Sequence, residues 1–191
     1  MGWHPRSDWK PTAYRVRSAC RIAAPMRATP SSPIVSLLLT GLLLAAVAPA
    51  QEPESLAVSG GVSNFNKSDR WFEAGVEYRH PLSVWKLAFA AGLYANSGPS
   101  GWIFAGLRRD FALGGGGAWV FTPGLALTAY SRGDGKDLGG VLEFRSSAEL
   151  GYRWPGHKRL ALGIYHMSNA GIYDRNPGMN SLIVTYSFPL R

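Results

Sequence analysis

From Val141 to Trp154 the chain alternates residue by residue. Leu142, Phe144, Ala148, Leu150, Tyr152 and Trp154 share one parity, and Glu143, Arg145, Ser147, Glu149, Gly151 and Arg153 share the other. Side chains on a strand point to opposite faces with period two, so this stretch predicts a strand with all of its charge on one side. Only Ser146 breaks the apolar face. The pattern recurs from Arg70 to Arg79, where Phe72, Ala74, Val76 and Tyr78 oppose Glu73, Gly75, Glu77 and Arg79. Shorter runs of the same kind give eight expected strands, at 55–65, 70–80, 82–94, 101–110, 117–130, 140–154, 158–168 and 180–189. Gly114 to Gly117 and Arg132 to Gly140 read as turns or loops between them.

A face of Leu, Phe and Tyr set against a face of Glu and Arg fits two architectures. A soluble sandwich or lipocalin-like barrel turns the apolar face inward. A membrane barrel inverts this, with apolar residues toward lipid and a polar lumen. The leader favours the inversion. Residues 34–50, IVSLLLTGLLLAAVAPA, carry no charge, follow Arg27 and end in the small-x-small triplet Ala48-Pro49-Ala50. That is the layout of a secretory signal peptide, and seventeen residues lie at the short limit for a helical span of about 30 Å. The expected organisation is a leader over residues 1–50, with Met26 as a compact alternative start, and one mature domain over 51–191. The single cysteine, Cys20, falls in the leader, so the exported domain has none for an internal disulfide. Tyr and Trp near several strand ends suit the edges of a bilayer. The expected fold is therefore all-β, an eight-stranded antiparallel transmembrane β-barrel with an apolar exterior and a polar interior, in the bacterial outer membrane. Its lumen charges, Glu73, Glu77, Arg79, Arg145, Glu149 and Arg153, are expected to pair with one another structurally.

The formal charge of +8 does not alter this picture. Six of the 20 Lys and Arg residues and one of the 12 acids precede residue 51, which leaves a net of +3 behind it. No basic stripe suited to a polyanion is present, so nucleic acid is excluded as a partner. His80 and His157 are isolated beside prolines, and no H-E-x-x-H, C-x-x-C or phosphate-loop spacing occurs, so no metal and no nucleotide is expected.

Chemistry concentrates in Tyr165-His166-Met167-Ser168-Asn169-Ala170-Gly171 and the following Asn176-Pro177-Gly178. Leu160, Leu162, Ile164, His166 and Ser168 share parity, so an imidazole and a hydroxyl extend an aliphatic row that should face lipid. Polar groups there cost free energy unless they lie near the headgroups or have partners. Two positions along one strand put their Cα atoms about 7 Å apart with both side chains on one face. This is the arrangement of a nucleophile and its base, with histidine taking the serine proton during attack on an ester carbonyl. Taken alone, H-x-S equally suits a structural hydrogen bond at the membrane interface.

The string His-Met-Ser-Asn-Ala-Gly, then Asn-Pro-Gly, then a final strand ending Tyr186-Ser187-Phe188, resembles the C-terminal signature of the PagL lipid A 3-O-deacylase family over roughly residues 164–188. The resemblance implies an eight-stranded barrel with its active site on the outer wall, His166 as general base and Ser168 as nucleophile. It implies hydrolysis of the ester-linked 3-hydroxyacyl chain at position 3 of lipid A, without a cofactor. It also suggests the Asn176 side chain and the Gly171 N–H as oxyanion donors, with Asn169 supporting the turn. Arg108-Arg109 and Lys158-Arg159 read as solvated turn charges, with contact to lipid A phosphates as the alternative. The expected partners are lipid A and outer-membrane lipid, and a homodimer is left open.

One position departs from the family pattern. A glutamate is expected two residues after the Gly of Asn-Pro-Gly, and this chain has Asn180. Three readings stand: Asn180 orients His166 without supplying charge, Asp174 in the loop substitutes, or the site is weakened. Two other functions compete with the esterase: a non-catalytic small barrel for adhesion or membrane integrity, and a lipid A acyltransferase.

Overall fold

The computed structural model describes residues 52–190, together with the backbone of Ala48 and Pro49; the rest of the expected leader, Met26 and Ala50 included, lies outside the described residues. Eight long strands follow one another in chain order: β1 (Ser55–Ser63), β2 (Trp71–Pro81), β3 (Ala88–Asn96), β4 (Gly101–Arg108), β5 (Trp119–Ser131), β6 (Leu142–Arg153), β7 (Arg159–Ser168) and β8 (Met179–Pro189). Each pairs antiparallel with the next, and β8 returns to β1 from Ser181↔Ser63 to Pro189↔Ser55, so the sheet closes. Closure leaves no long edge strand open, as a bilayer demands of strands.

Parity decides which way each residue faces. Along β7, Arg159, Ala161, Gly163, Tyr165 and Met167 are buried while Leu160, Leu162, Ile164 and His166 are exposed. On β6 the buried positions are Glu143, Arg145, Glu149 and Gly151, and Leu142, Leu150 and Tyr152 face out. The outside is thus apolar and the inside charged, the inverse of a water-soluble barrel. Exterior aromatics Trp119, Tyr152 and Trp154 pack edge to face with centroids 5.4 and 5.2 Å apart, at one end of the wall.

The part of the lumen near Arg108 and Arg159 holds a neutral cluster of three carboxylates and three guanidiniums, and Tyr94, Trp102, Phe104, Tyr130, Met167 and Ile183 pack in another part. Glu77 Oε1 accepts from Arg79 Nε at 2.6 Å and from Arg108 Nη1 at 2.8 Å. Glu149 accepts from Arg108 at 2.8 Å, Arg159 at 3.1 Å and Arg79 at 3.4 Å, and Arg159 also donates to Asp110 at 3.1 Å. Above it the Arg145 guanidinium lies 4.1 Å from the Tyr165 ring centroid and 4.7 Å from that of Tyr94. Buried charge is tolerable only when paired and hydrogen-bonded, and here alternating signs meet across strands. The pairing expected of Glu77, Arg79 and Glu149 is therefore present; Glu73 instead accepts from Ser181 at 2.8 Å, and Arg153 pairs with Glu52 at 2.6 Å at the rim.

Two expectations are corrected. The third strand begins at Ala88, not residue 82, because Trp85 and Lys86 both have positive φ (52° each) and turn the chain between Leu82 and Leu87. That turn has no Gly or Asn to announce it. Arg108 and Arg159 are not solvated turn charges, since their parity sends both into the lumen cluster. The strand containing Arg108 also pauses at Arg109–Asp110, opposite Pro123, which lacks an N–H, before Phe111–Leu113 resumes pairing with β5. That short strand also meets Ala48–Pro49.

Candidate active site

His166 and Ser168 lie at the C-terminal end of β7, where the wall meets the 169–178 loop. Both have outward parity; His166 is exposed and Ser168 half-buried. Register fixes the neighbours of the imidazole. Asn180 on β8 stands directly opposite it on one side, and Ser146 on β6 directly opposite it on the other. Directly paired residues on one face have Cβ atoms about 4.5–5.5 Å apart. His166 Nδ1 and Asn180 Oδ1 are 2.8 Å apart. An amide oxygen only accepts, so this contact places the ring proton on Nδ1 and leaves Nε2 as the acceptor. Among the described residues no hydrogen bond joins Ser168 Oγ to the imidazole. Such bonds are commonly long before substrate binds and tighten afterwards.

The ring rests against the turn that begins β8. A Cβ placed on Gly178, whose φ is +58°, would fall 2.9 Å from His166 Cε1. Gly178 therefore meets two demands, a left-handed backbone and a close approach to the imidazole.

The 169–178 loop is held by Asn169, which is fully buried. Its Nδ2 donates to the carbonyls of Leu138 at 2.8 Å and Arg175 at 2.7 Å, and its N–H donates to Asn176 Oδ1 at 3.1 Å. Leu138 is itself buried at the lumen mouth, so this one side chain ties the site loop to the 132–141 loop that covers the barrel. The Gly171 N–H donates to Asn169 Oδ1 at 2.9 Å and is engaged in this arrangement. With its oxygen turned to Asn169, the Asn176 side chain keeps its NH2 group for another acceptor. Ala170 and Gly171 are both left-handed, with φ of 54° and 82°, and close a turn in which the Ile172 N–H donates to the Asn169 carbonyl at 3.1 Å. An alanine held there is strained backbone two residues from Ser168.

Of the two candidates for the third member, the structure brings Asn180 to His166. Asp174 is exposed in the loop, beside Asp137, Tyr173 and Arg175 around an open hollow, and makes no hydrogen bond to the imidazole. Arg109, Lys158 and their inward-facing neighbours lie at the opposite end of the barrel, since β7 runs from Arg159 to Ser168; they cannot meet a headgroup beside this site. Sequence reasoning noticed Ser146 only as an interruption of an apolar face. Its place beside His166 follows from register across two strands, which no local pattern displays.

The family model for lipid A 3-O-deacylase (PagL) matches residues 63–189. The crystal structure of the outer membrane enzyme PagL superposes with a TM-score of 0.59 at 19% identity, covering 71% of this chain and 99% of that one. The crystal structure of Neisserial surface protein A gives a TM-score of 0.48 at 13% identity, over 74% of this chain and 98% of the other. No curated protein sequence matches the chain.

Proposed function

Because the chain belongs to the PagL family of lipid A 3-O-deacylases, we propose that it is an outer-membrane serine esterase that hydrolyses the 3-hydroxyacyl ester at position 3 of lipid A. The observation that carries the reading is the His166–Asn180 contact on the outer wall, 2.8 Å long, which leaves Nε2 free to take a proton. The site lies at the end bearing the 132–141 and 169–178 loops, ten residues each, whereas the ten-residue 109–118 connection at the other end is partly paired as strand Phe111–Leu113. In barrels of this type the longer loops are extracellular, which supports a position for the proposed ester-cleaving groups in the leaflet that holds lipid A. A substrate whose acyl chains lie in the bilayer is met by an enzyme whose nucleophile points into it.

The steps follow from the groups present. Ser168 Oγ attacks the ester carbonyl as His166 Nε2 takes its proton, while Asn180 holds Nδ1–H. Charge develops on the carbonyl oxygen, where the Asn176 NH2 group donates. The Gly171 N–H joins it when released from Asn169. The tetrahedral species collapses, the sugar oxygen leaves with the proton from His166, and an acyl-enzyme remains. Water, activated by the same histidine, then releases the 3-hydroxy fatty acid and restores Ser168.

Mass spectrometry of lipid A from cells producing the protein tests this. Loss of one hydroxyacyl chain is expected. Ser168→Ala and His166→Ala should abolish that loss while the protein still shows the heat-dependent gel mobility of an assembled barrel. No change with the unmodified protein would support a non-catalytic barrel, a mass gain would support acyl transfer, and continued loss in Ser168→Ala would dismiss the nucleophile.

A further inference from the structure

On the lipid-facing wall of β6, the residues are Leu142, Phe144, Ser146, Ala148, Leu150 and Tyr152. Ser146 is the one hydroxyl that lies in the apolar part of this row, and it is exposed. Its hydroxyl takes part in no hydrogen bond among the described residues. An unpartnered polar group facing hydrocarbon is unfavourable, and a leucine or valine would serve the barrel better. Register places this group directly opposite His166 and diagonal to Ser168, whose own direct partner is Phe144. Across β5 its direct partner is Leu125, and Ala148 follows along β6, so on the sides away from His166 the hydroxyl is bracketed by apolar groups.

We infer that Ser146 binds the hydroxyl on the third carbon of the acyl chain that is cleaved, and so selects 3-hydroxyacyl esters. The inference rests on the esterase reading above and deepens it. Diagonal positions on one face are about 7–8 Å apart. Within that span, Ser168 Oγ reaches the carbonyl carbon at about 3–3.5 Å. The hydroxyl-bearing carbon is two bonds further along the chain, and Ser146 Oγ meets its hydroxyl at about 2.8 Å. Both hydroxyls would otherwise be left unpaired in an apolar layer, so the pairing satisfies two groups at once. Ser146 thereby acts as a specificity residue that touches substrate away from the reacting bond.

The test uses the full-length protein in mixed micelles and two synthetic glucosamine esters, carrying at position 3 either a 3-hydroxyacyl chain or an unsubstituted chain of equal length. The unmodified enzyme should hydrolyse the hydroxylated ester with the higher kcat/KM. Ser146→Ala should lower kcat/KM on that ester about threefold to tenfold, the range of one neutral hydrogen bond, and leave the other unchanged. Ser146→Thr, which keeps the hydroxyl, should retain the preference. Equal losses on both esters, or a preference that survives Ser146→Ala, would overturn the role of Ser146 while leaving the esterase intact. Failure of the unmodified enzyme to cleave either ester would overturn the esterase reading itself, and this one with it.

Discussion

Asn180 stands where the resemblance leads to the expectation of a glutamate, and its 2.8 Å contact with His166 Nδ1 sets what the change should cost. A neutral hydrogen bond contributes about 0.5–1.5 kcal/mol, and one to a charged group about 1.5–3 kcal/mol. In the proposed reaction the imidazole becomes a cation as Ser168 gives up its proton. Asparagine can hold the ring but cannot offset that charge. Asn180→Asp keeps the oxygen in place and adds the charge, so the transition state should gain about 1 kcal/mol, or about fivefold in kcat. Asn180→Ala removes the contact, releasing both ring orientation and proton placement. Loss of such an orienting partner can far exceed the energy of the bond itself, and a fall in kcat of about tenfold to hundredfold is expected. Asp174→Ala, which touches nothing at the imidazole, should stay within about twofold. The assay is release of 3-hydroxy fatty acid from lipid A micelles, with kcat and KM resolved. Full activity in Asn180→Ala, or a strong loss in Asp174→Ala, would refute the assignment. An Asn180→Asp enzyme slower than the alanine variant would refute the argument that missing charge limits the rate.

Three further outcomes are expected. Gly178→Ala puts a Cβ 2.9 Å from His166 Cε1 on a left-handed residue, so kcat should fall at least about tenfold; an unimpaired enzyme would show that the ring does not need this approach. Glu149→Ala leaves Arg79, Arg108 and Arg159 facing only Glu77 and Asp110, which should destabilise the barrel by about 3–5 kcal/mol. Urea unfolding in detergent measures this, and an unchanged midpoint would refute the structural role of the cluster. Asn169→Ala removes the side-chain bonds to the Leu138 and Arg175 carbonyls, so the 169–178 loop should become readily cut by added protease and activity should drop; a loop as resistant as before would refute the tie.

The alternation along the strands carried most of the architecture. Inward Glu143, Arg145 and Glu149 and outward Leu142 and Leu150 are set by period two alone, and a bilayer outside a narrow lumen tells which face is which. The expected strands at 140–154 and 158–168 match Leu142–Arg153 and Arg159–Ser168 to within two residues. The turn at Trp85–Lys86 was hidden because Val84 and Trp85 are strand formers and no Gly or Asn marks the left-handed backbone there. Arg108 and Arg159 were misread because their position at strand ends suggested solvent, while parity and the carboxylates of other strands drew them inward.

The candidate site divides along the same line. Parity on one strand is local, so the sequence determined that His166 and Ser168 share the outer face. Which residues flank them depends on how β6 and β8 slide against β7, and a shift of one residue would turn every neighbour to the opposite face. Register alone set Asn180 rather than Asp174 beside the imidazole, and placed Ser146 on its other side. Likewise the burial of Asn169 under the 132–141 loop, and the packing of Gly178 against the ring, arise where segments distant in sequence meet. A chain writes its own periodicity into its residues, but contacts between separate strands exist only once the cylinder has closed.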